Sequence, residues 1–264
     1  MPPTSDPDAS DPTGGTTRDL MAEDERNTRP LPARLPPLSI VIATAVVAVG
    51  AISFSLRPAV AGTWVMWLGL AVPYLLLAAY AAYLMYDDGT LFDRLKPRGG
   101  DFTLGVLVSV ALLVGSWSLR AHLAPAGSAW QGWVARIYLI PGDPSVLQRS
   151  SALTITLLAV AGLQEITWRG MVQDAMTRLV GDRRAWILTA LLFAAVSLPT
   201  ALTLSDPIAG PNPLLVLAAL GCGLAWGFLT RMAGRLWPAM FAHMVFAYFT
   251  AVQFHIPGVT PAPM

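Results

Sequence analysis

Apolar residues run through this chain in blocks, and short polar connections separate them. The blocks lie at roughly 37–56, 64–86, 102–123, 151–179, 185–203, 212–233 and 236–254. A helix needs about 20 apolar residues to cross the hydrocarbon core of a bilayer. The pattern therefore predicts an all-α polytopic membrane protein with about seven transmembrane helices. The fourth block is longer than a span needs, and it places Gln164, Glu165 and Arg169 in its middle. The connection at 124–150 reads "AWQGWVARIYLIPGDP" in part. Its Trp130, Trp133 and Tyr138 suit an interfacial segment as well as a plain loop. Ahead of the first block, residues 1–36 hold seven acids and four arginines among Pro, Thr, Ser and Gly. Such a segment cannot bury enough apolar surface to order itself, and it lacks the basic start and apolar run of a signal peptide. The expected organisation is a disordered tail over 1–36 and a transmembrane domain over 37–264.

Composition agrees with the blocks. The chain is 55% hydrophobic and 12% charged, with a mean hydropathy of +0.56, outside the ordinary soluble range. A net charge of +1 gives no reason to expect nucleic-acid binding. Orientation follows from Lys and Arg. With the N-terminus in the cytoplasm, eleven of them flank the inner ends: Arg26, Arg29, Arg34, Arg94, Lys96, Arg98, Arg178, Arg183, Arg184, Arg231 and Arg235. Four flank the outer ends: Arg57, Arg120, Arg136 and Arg149. Seven spans then leave the C-terminus outside. The single cysteine, Cys222, excludes an intramolecular disulfide.

Ionisable groups within a membrane are rare, and they are usually functional or paired. Glu165 is the one carboxylate clearly inside a block, and Arg169 follows at i+4 on the same helix face. An ion pair there neutralises both charges. Gln164 is rotated by about 100° and faces a different neighbour. Glu165 lies roughly 21 Å along its helix, and Ser197 and His243 fall at broadly similar depths on two other helices. The three helices could therefore line one cavity with Gln164, Ser197 and His243. Each residue alone is equally at home in an ordinary helix–helix hydrogen bond. His243 and Ser197 come from different helices, and no third group to orient them is apparent. One His and one paired Glu do not supply three metal ligands, so neither a metal nor another cofactor is expected.

Three stretches resemble motifs of the CPBP family, the CAAX proteases and bacteriocin-processing (ABI) proteins. "QEITWRG", Gln164 to Gly170, is similar to the family's Glu-Glu-x-x-x-Arg-Gly. "FAAVSLP", Phe193 to Pro199, is similar to Phe-x-x-x-His-Leu-Pro. "LWPAMFAHMVFA", ending at Ala247, is similar to the segment that carries His-x-x-x-Asn. The resemblance covers about residues 150–255, with the motifs in family order. It implies a fold of intramembrane endopeptidases.

In active members the first glutamate and the second-motif histidine are thought to activate water, and the third-motif histidine and asparagine to hold the oxyanion. Here those positions carry Gln164, Ser197, His243 and Ala247. A glutamine amide is no general base, serine needs an adjacent base to accept a proton, and alanine offers no donor. The resemblance thus implies a noncatalytic homologue. It would keep Glu165 and Arg169 as a structural pair and Trp168 and Phe193 about a pocket. Its expected partner is a peptide or a transmembrane protein, such as an active CPBP relative, in protein processing or sorting in a bacterial inner membrane. Myxosortase-associated homologues would be an example. The first alternative is a divergent active endopeptidase that uses Glu165 or His243. The second is a transporter or channel, against which stand the few in-membrane charges and the lack of an inverted repeat.

Overall fold

The computed structural model describes residues 34–139, Leu147 and 149–253. The chain divides after Leu35, and the described residues from Pro36 onward form one helical unit. Its elements in order are α1 (Pro37–Ser55), α2 (Trp64–Asp87), a short α3 (Leu91–Leu95), α4 (Asp101–Leu123), α5 (Gln131–Leu139) and α6 (Ser151–Glu165). A π-helical segment, Ile166–Val172, carries α6 without a break into α7 (Gln173–Val180). Then come α8 (Asp182–Val196), a short α9 (Pro199–Thr203), α10 (Leu214–Ala233), α11 (Trp237–Tyr248) and a second π-helical turn, Phe249–Gln253. Among the described residues there is no strand, only one bridge between Asp206 and Gly210.

Among the described residues, six helical stretches are long and apolar enough to cross a membrane: Pro37–Ser55, Trp64–Asp87, Asp101–Leu123, Ser151–Val180, Asp182–Thr203 and Leu214–Ala233. Each coincides with one of the first six apolar blocks. The seventh block differs. It is a 12-residue α-helix followed by a 5-residue π-helical turn, together shorter than any of the other six. Thr250 Oγ1 bonds back to the carbonyls of Phe246 and Ala247 where the register changes, a side-chain competition that commonly bends helices. The last residue of that block, and the N-terminal tail up to residue 33, lie outside the described residues.

The stretch Ser151–Val180 is the axis of the bundle. Its π-helical part touches α1, α2, α8 and α10, and α6 packs on α2 and α11. Six consecutive residues, Thr167 to Val172, are buried. Burial on every side is what a helix wholly surrounded by other helices must show. Small residues permit the closest approaches around this axis. Gly105 and Ser109, one turn apart on α4, face α11. A Cβ at Gly105 would come within 3.1 Å of the Pro238 carbonyl oxygen, and Ser109 Oγ donates to the Ala242 carbonyl at 2.9 Å. Small residues with one cross-helix hydrogen bond are the usual means of joining helices in lipid.

Apart from the buried Glu165–Arg169 pair, charge among the described residues of the bundle gathers toward its two ends. One end gathers the connections near residues 88–100, 181 and 234–236. There Arg94 pairs with Asp174, Arg178 with Asp88, Arg231 with Asp182 and Arg235 with Asp101. The hydrogen bond to Asp101 raises the pKa of the Arg235 guanidinium. The Leu236 amide and the Trp237 indole donate to the carbonyls of Arg94 and Leu95, which pins α3 beneath the start of α11.

At the other end, the connection that reads as interface or loop contains α5. The Trp133 indole donates to the Gly210 carbonyl at 3.1 Å, and the Asn212 amide donates to the Trp133 carbonyl at 2.8 Å. Asp206 accepts from the Ala209 and Ile208 amides, and these bonds hold its carboxyl below the usual range.

Candidate functional site

Glu165 is the last α-helical residue before the π-helical segment, at the centre of the bundle, and it is fully buried. Its Oε1 accepts from Arg169 Nη1 at 3.2 Å and lies 2.8 Å from His243 Nδ1. A carboxylate has no proton to give, so Nδ1 of the imidazole is the donor. One carboxylate oxygen thus serves two helices. Helix periodicity alone pairs Glu165 with Arg169 and offers no third group to orient His243. Glu165 is that group, and the correction has a simple cause. Partners four residues apart are legible from helix periodicity, whereas a partner 78 residues away depends on how α11 docks against α6.

Arg169 is also fully buried. Its Nη2 donates to the Gly223 carbonyl at 3.2 Å, and its guanidinium carbon lies 5.0 Å from the Phe193 ring centroid and 5.5 Å from that of Trp226. Both distances are within the range of cation–π attraction. Gly223 is in place because α8 runs close by: a Cβ on it would stand 3.2 Å from Ala190 Cβ. Trp226 stacks on His243, with ring centroids 3.8 Å apart and planes 20° apart. Among the described residues, Glu165 Oε2, Arg169 Nε and Trp226 Nε1 are buried without a hydrogen-bond partner.

The other expected positions behave differently. Ser197 is buried, but its hydroxyl donates to the Phe193 carbonyl one turn back, at 3.1 Å. Gln164 is half-buried beside the Tyr74 hydroxyl. Ala247, one turn after His243, presents a half-buried methyl group. Trp168 and Phe193 pack edge to face at 5.2 Å, and the Trp168 indole donates to the Tyr74 hydroxyl at 3.4 Å. A cavity of about 500 Å³ lies nearby, between α4, α5, α10 and α11, with Cys222 and Phe246 in its wall. Gln164, Ser197, His243, Trp168 and Phe193 do not line it. Among the described residues no three His, Cys, Asp or Glu side chains lie close enough to hold a metal.

Sequence reasoning missed Tyr74, Gly223 and Trp226. Aromatic residues and glycines are common in apolar helices, so nothing in the sequence set these three apart. Chemically, the arrangement couples an acid, a guanidinium and an imidazole in a buried polar network. The imidazole Nε2 is left without a hydrogen-bond partner among the described residues.

A match to a known protein family falls on the same helices. Residues 147–249, less than half of the chain, match the model of a family described as type II CAAX prenyl endopeptidase Rce1-like. No curated protein and no solved structure matches. The matched segment runs from the start of the axial helix to the end of α11 and carries Glu165, Arg169, Trp226 and His243. Through this segment the chain is similar to that family, and its six long apolar helices make it an all-helical integral membrane protein.

Proposed function

We propose that the protein is a noncatalytic CPBP homologue that holds a peptide or a transmembrane partner in protein processing or sorting. One observation carries this reading. The only carboxylate at the motif is Glu165, and it is fully buried and bonded to both Arg169 and His243. A base for water activation is then missing at Gln164, whose amide has no useful basicity. Ser197 gives its proton to its own helix, and Ala247 cannot stabilise an oxyanion, a loss that alone costs roughly 100- to 1000-fold in rate. Glu165, Arg169 and His243 act in this reading as a structural network that keeps the helices in register. The partner is a peptide or a membrane protein, an active CPBP relative among the candidates, and the setting is a bacterial inner membrane.

A second reading rests on one specific distance. The 2.8 Å contact between Glu165 Oε1 and His243 Nδ1 is the orienting half of a carboxylate–imidazole dyad, and it leaves Nε2 free to accept a proton. This would make the protein a divergent endopeptidase. The test is long incubation of the purified protein with membrane peptides, including prenylated C-terminal peptides, beside an intact family member. The expected result is capture without cleavage, read by cross-linking through a photo-reactive group at Met244 and by mass spectrometry of the peptide. Cleavage that vanishes in Glu165→Gln or His243→Ala would establish the second reading instead.

The orientation belongs to the same proposal: N-terminus in the cytoplasm and, with α11 and its π-helical turn completing a seventh crossing, C-terminus outside. It is supported by the eleven-to-four distribution of Lys and Arg under the positive-inside rule. Reporter fusions at residues 30, 95, 182 and 258 are expected to read inside, inside, inside and outside. A cytoplasmic signal at 258 would mean that the last block turns back without crossing.

A further inference from the structure

The cavity between α4, α5, α10 and α11 has no place in the polar network. Its volume is about 500 Å³, and its wall includes Ala111, Gly115, Gly221 and Phe246, with Arg120 and Tyr138 among the lining residues. That volume is ordinary for a ligand pocket. On α4 the lining runs from Ala111 to Arg120, about 14 Å at 1.5 Å per residue. The hydrocarbon of one leaflet is roughly 15 Å deep, half of a 30 Å core. Arg120 stands in the last turn of the 23-residue α4, at the depth where a span of that length emerges. Along α4 the lining therefore spans from the middle of the helix to its last turn, a length that matches one leaflet.

Two features distinguish it from a passive groove. Arg120 is half-buried and has neither an ion-pair nor a hydrogen-bond partner among the described residues. The other arginines of the bundle ends whose contacts are described above, Arg94, Arg178, Arg231 and Arg235, each have a carboxylate partner. In addition, both glycines in the wall face open space: a Cβ added at Gly115 or Gly221 meets no atom within 4 Å. Glycine is thus not required there by helix packing. A larger side chain would only fill the cavity.

We propose that this cavity is a binding site for one anionic phospholipid. One acyl chain occupies the apolar slot between α4 and α10, and the phosphate meets the guanidinium of Arg120 at the rim, with Tyr138 beside it. Charge complementarity selects the headgroup. A guanidinium offers paired N–H donors in a geometry that suits phosphate oxygens, and a zwitterionic lipid would bring its own ammonium to the same rim. The site is independent of whether the Glu165–His243 network is structural or catalytic.

The experiment uses the full chain purified in detergent and titrated with dimyristoyl phosphatidylglycerol or dimyristoyl phosphatidylcholine, with bound lipid read by native mass spectrometry. The expected wild-type preference for phosphatidylglycerol is about fivefold, the effect of one basic residue at a lipid surface. Arg120→Gln should remove that preference and leave weak, equal binding of both lipids. Gly221→Leu should lower binding of both lipids while keeping the elution profile and melting temperature of the parent, since it meets open space. Glycerol 3-phosphate, the headgroup anion without chains, should not compete at equal concentration. Equal binding of the two lipids by the wild-type protein would overturn the proposal. So would phosphatidylglycerol binding unchanged in both variants, or full competition by glycerol 3-phosphate, which would reduce the site to a surface anion contact.

Discussion

Glu165→Ala is expected to lower stability in detergent by about 3–5 kcal/mol, the usual cost of leaving a buried charge without its partner. Arg169→Ala should fall in the same range. The double variant should lose clearly less than the sum, because it removes both charges from the interior. The position of His243 makes a finer forecast possible. Both Arg169 Nη1 and His243 Nδ1 end on Glu165 Oε1, so Glu165→Ala strands two donors. His243→Ala strands none, since Glu165 keeps Arg169. The order of loss should be Glu165→Ala first and His243→Ala last, measured by thermal unfolding followed through size-exclusion chromatography. Additive losses in the Glu165–Arg169 cycle would show that the two do not interact.

The second large effect is expected at Trp226. Trp226→Ala removes the ring that covers His243 at 3.8 Å and one of the two ring faces near Arg169. It also opens a hole at a fully packed position, since only 2% of Trp226 is exposed. Replacing a buried large aromatic with alanine typically costs about 3–5 kcal/mol. Trp226→Phe separates the causes. The indole Nε1 has no partner among the described residues, so phenylalanine forfeits no hydrogen bond there and keeps a ring over the imidazole. Its loss should be less than half that of alanine. Equal losses for the two variants would mean that the fit of the whole indole matters, and that stacking and the cation–π contact contribute little.

These two sites differ in how far the sequence announced them. Glu165 and Arg169 stand out because charge is scarce in a chain that is 12% charged, and the helical period places them on one face. Their i,i+4 contact is a local consequence of helix geometry. Trp226 carries no such mark. It is one of nine tryptophans, and only the packing of α10 against α11 gives it His243 as a neighbour. Ser197 shows the reverse. Its place in the second motif invited a role in a shared cavity, yet its hydroxyl is bonded to its own helix at the Phe193 carbonyl, the cheapest partner for a serine near a helix end in a medium without water.

The membrane architecture was readable because lipid imposes one rule along the whole length of a span: residues must be apolar for about 20 positions, and the backbone must bond within its own segment. That rule leaves a trace in the linear pattern, and the first six blocks coincide with six long helices. The seventh block met the hydropathy requirement but not the length of a regular helix, because the change to a π-helical register at Phe249 depends on local backbone competition that hydropathy does not record. The chemistry of the centre lay beyond the linear pattern for a similar reason. Which donor reaches Glu165 Oε1, which ring lies on the imidazole and which glycine carbonyl meets the guanidinium are all set by the approach of α8, α10 and α11 to the axial helix. That approach is decided by the glycines and alanines through which the helices pack, so it exists only once the helices have assembled.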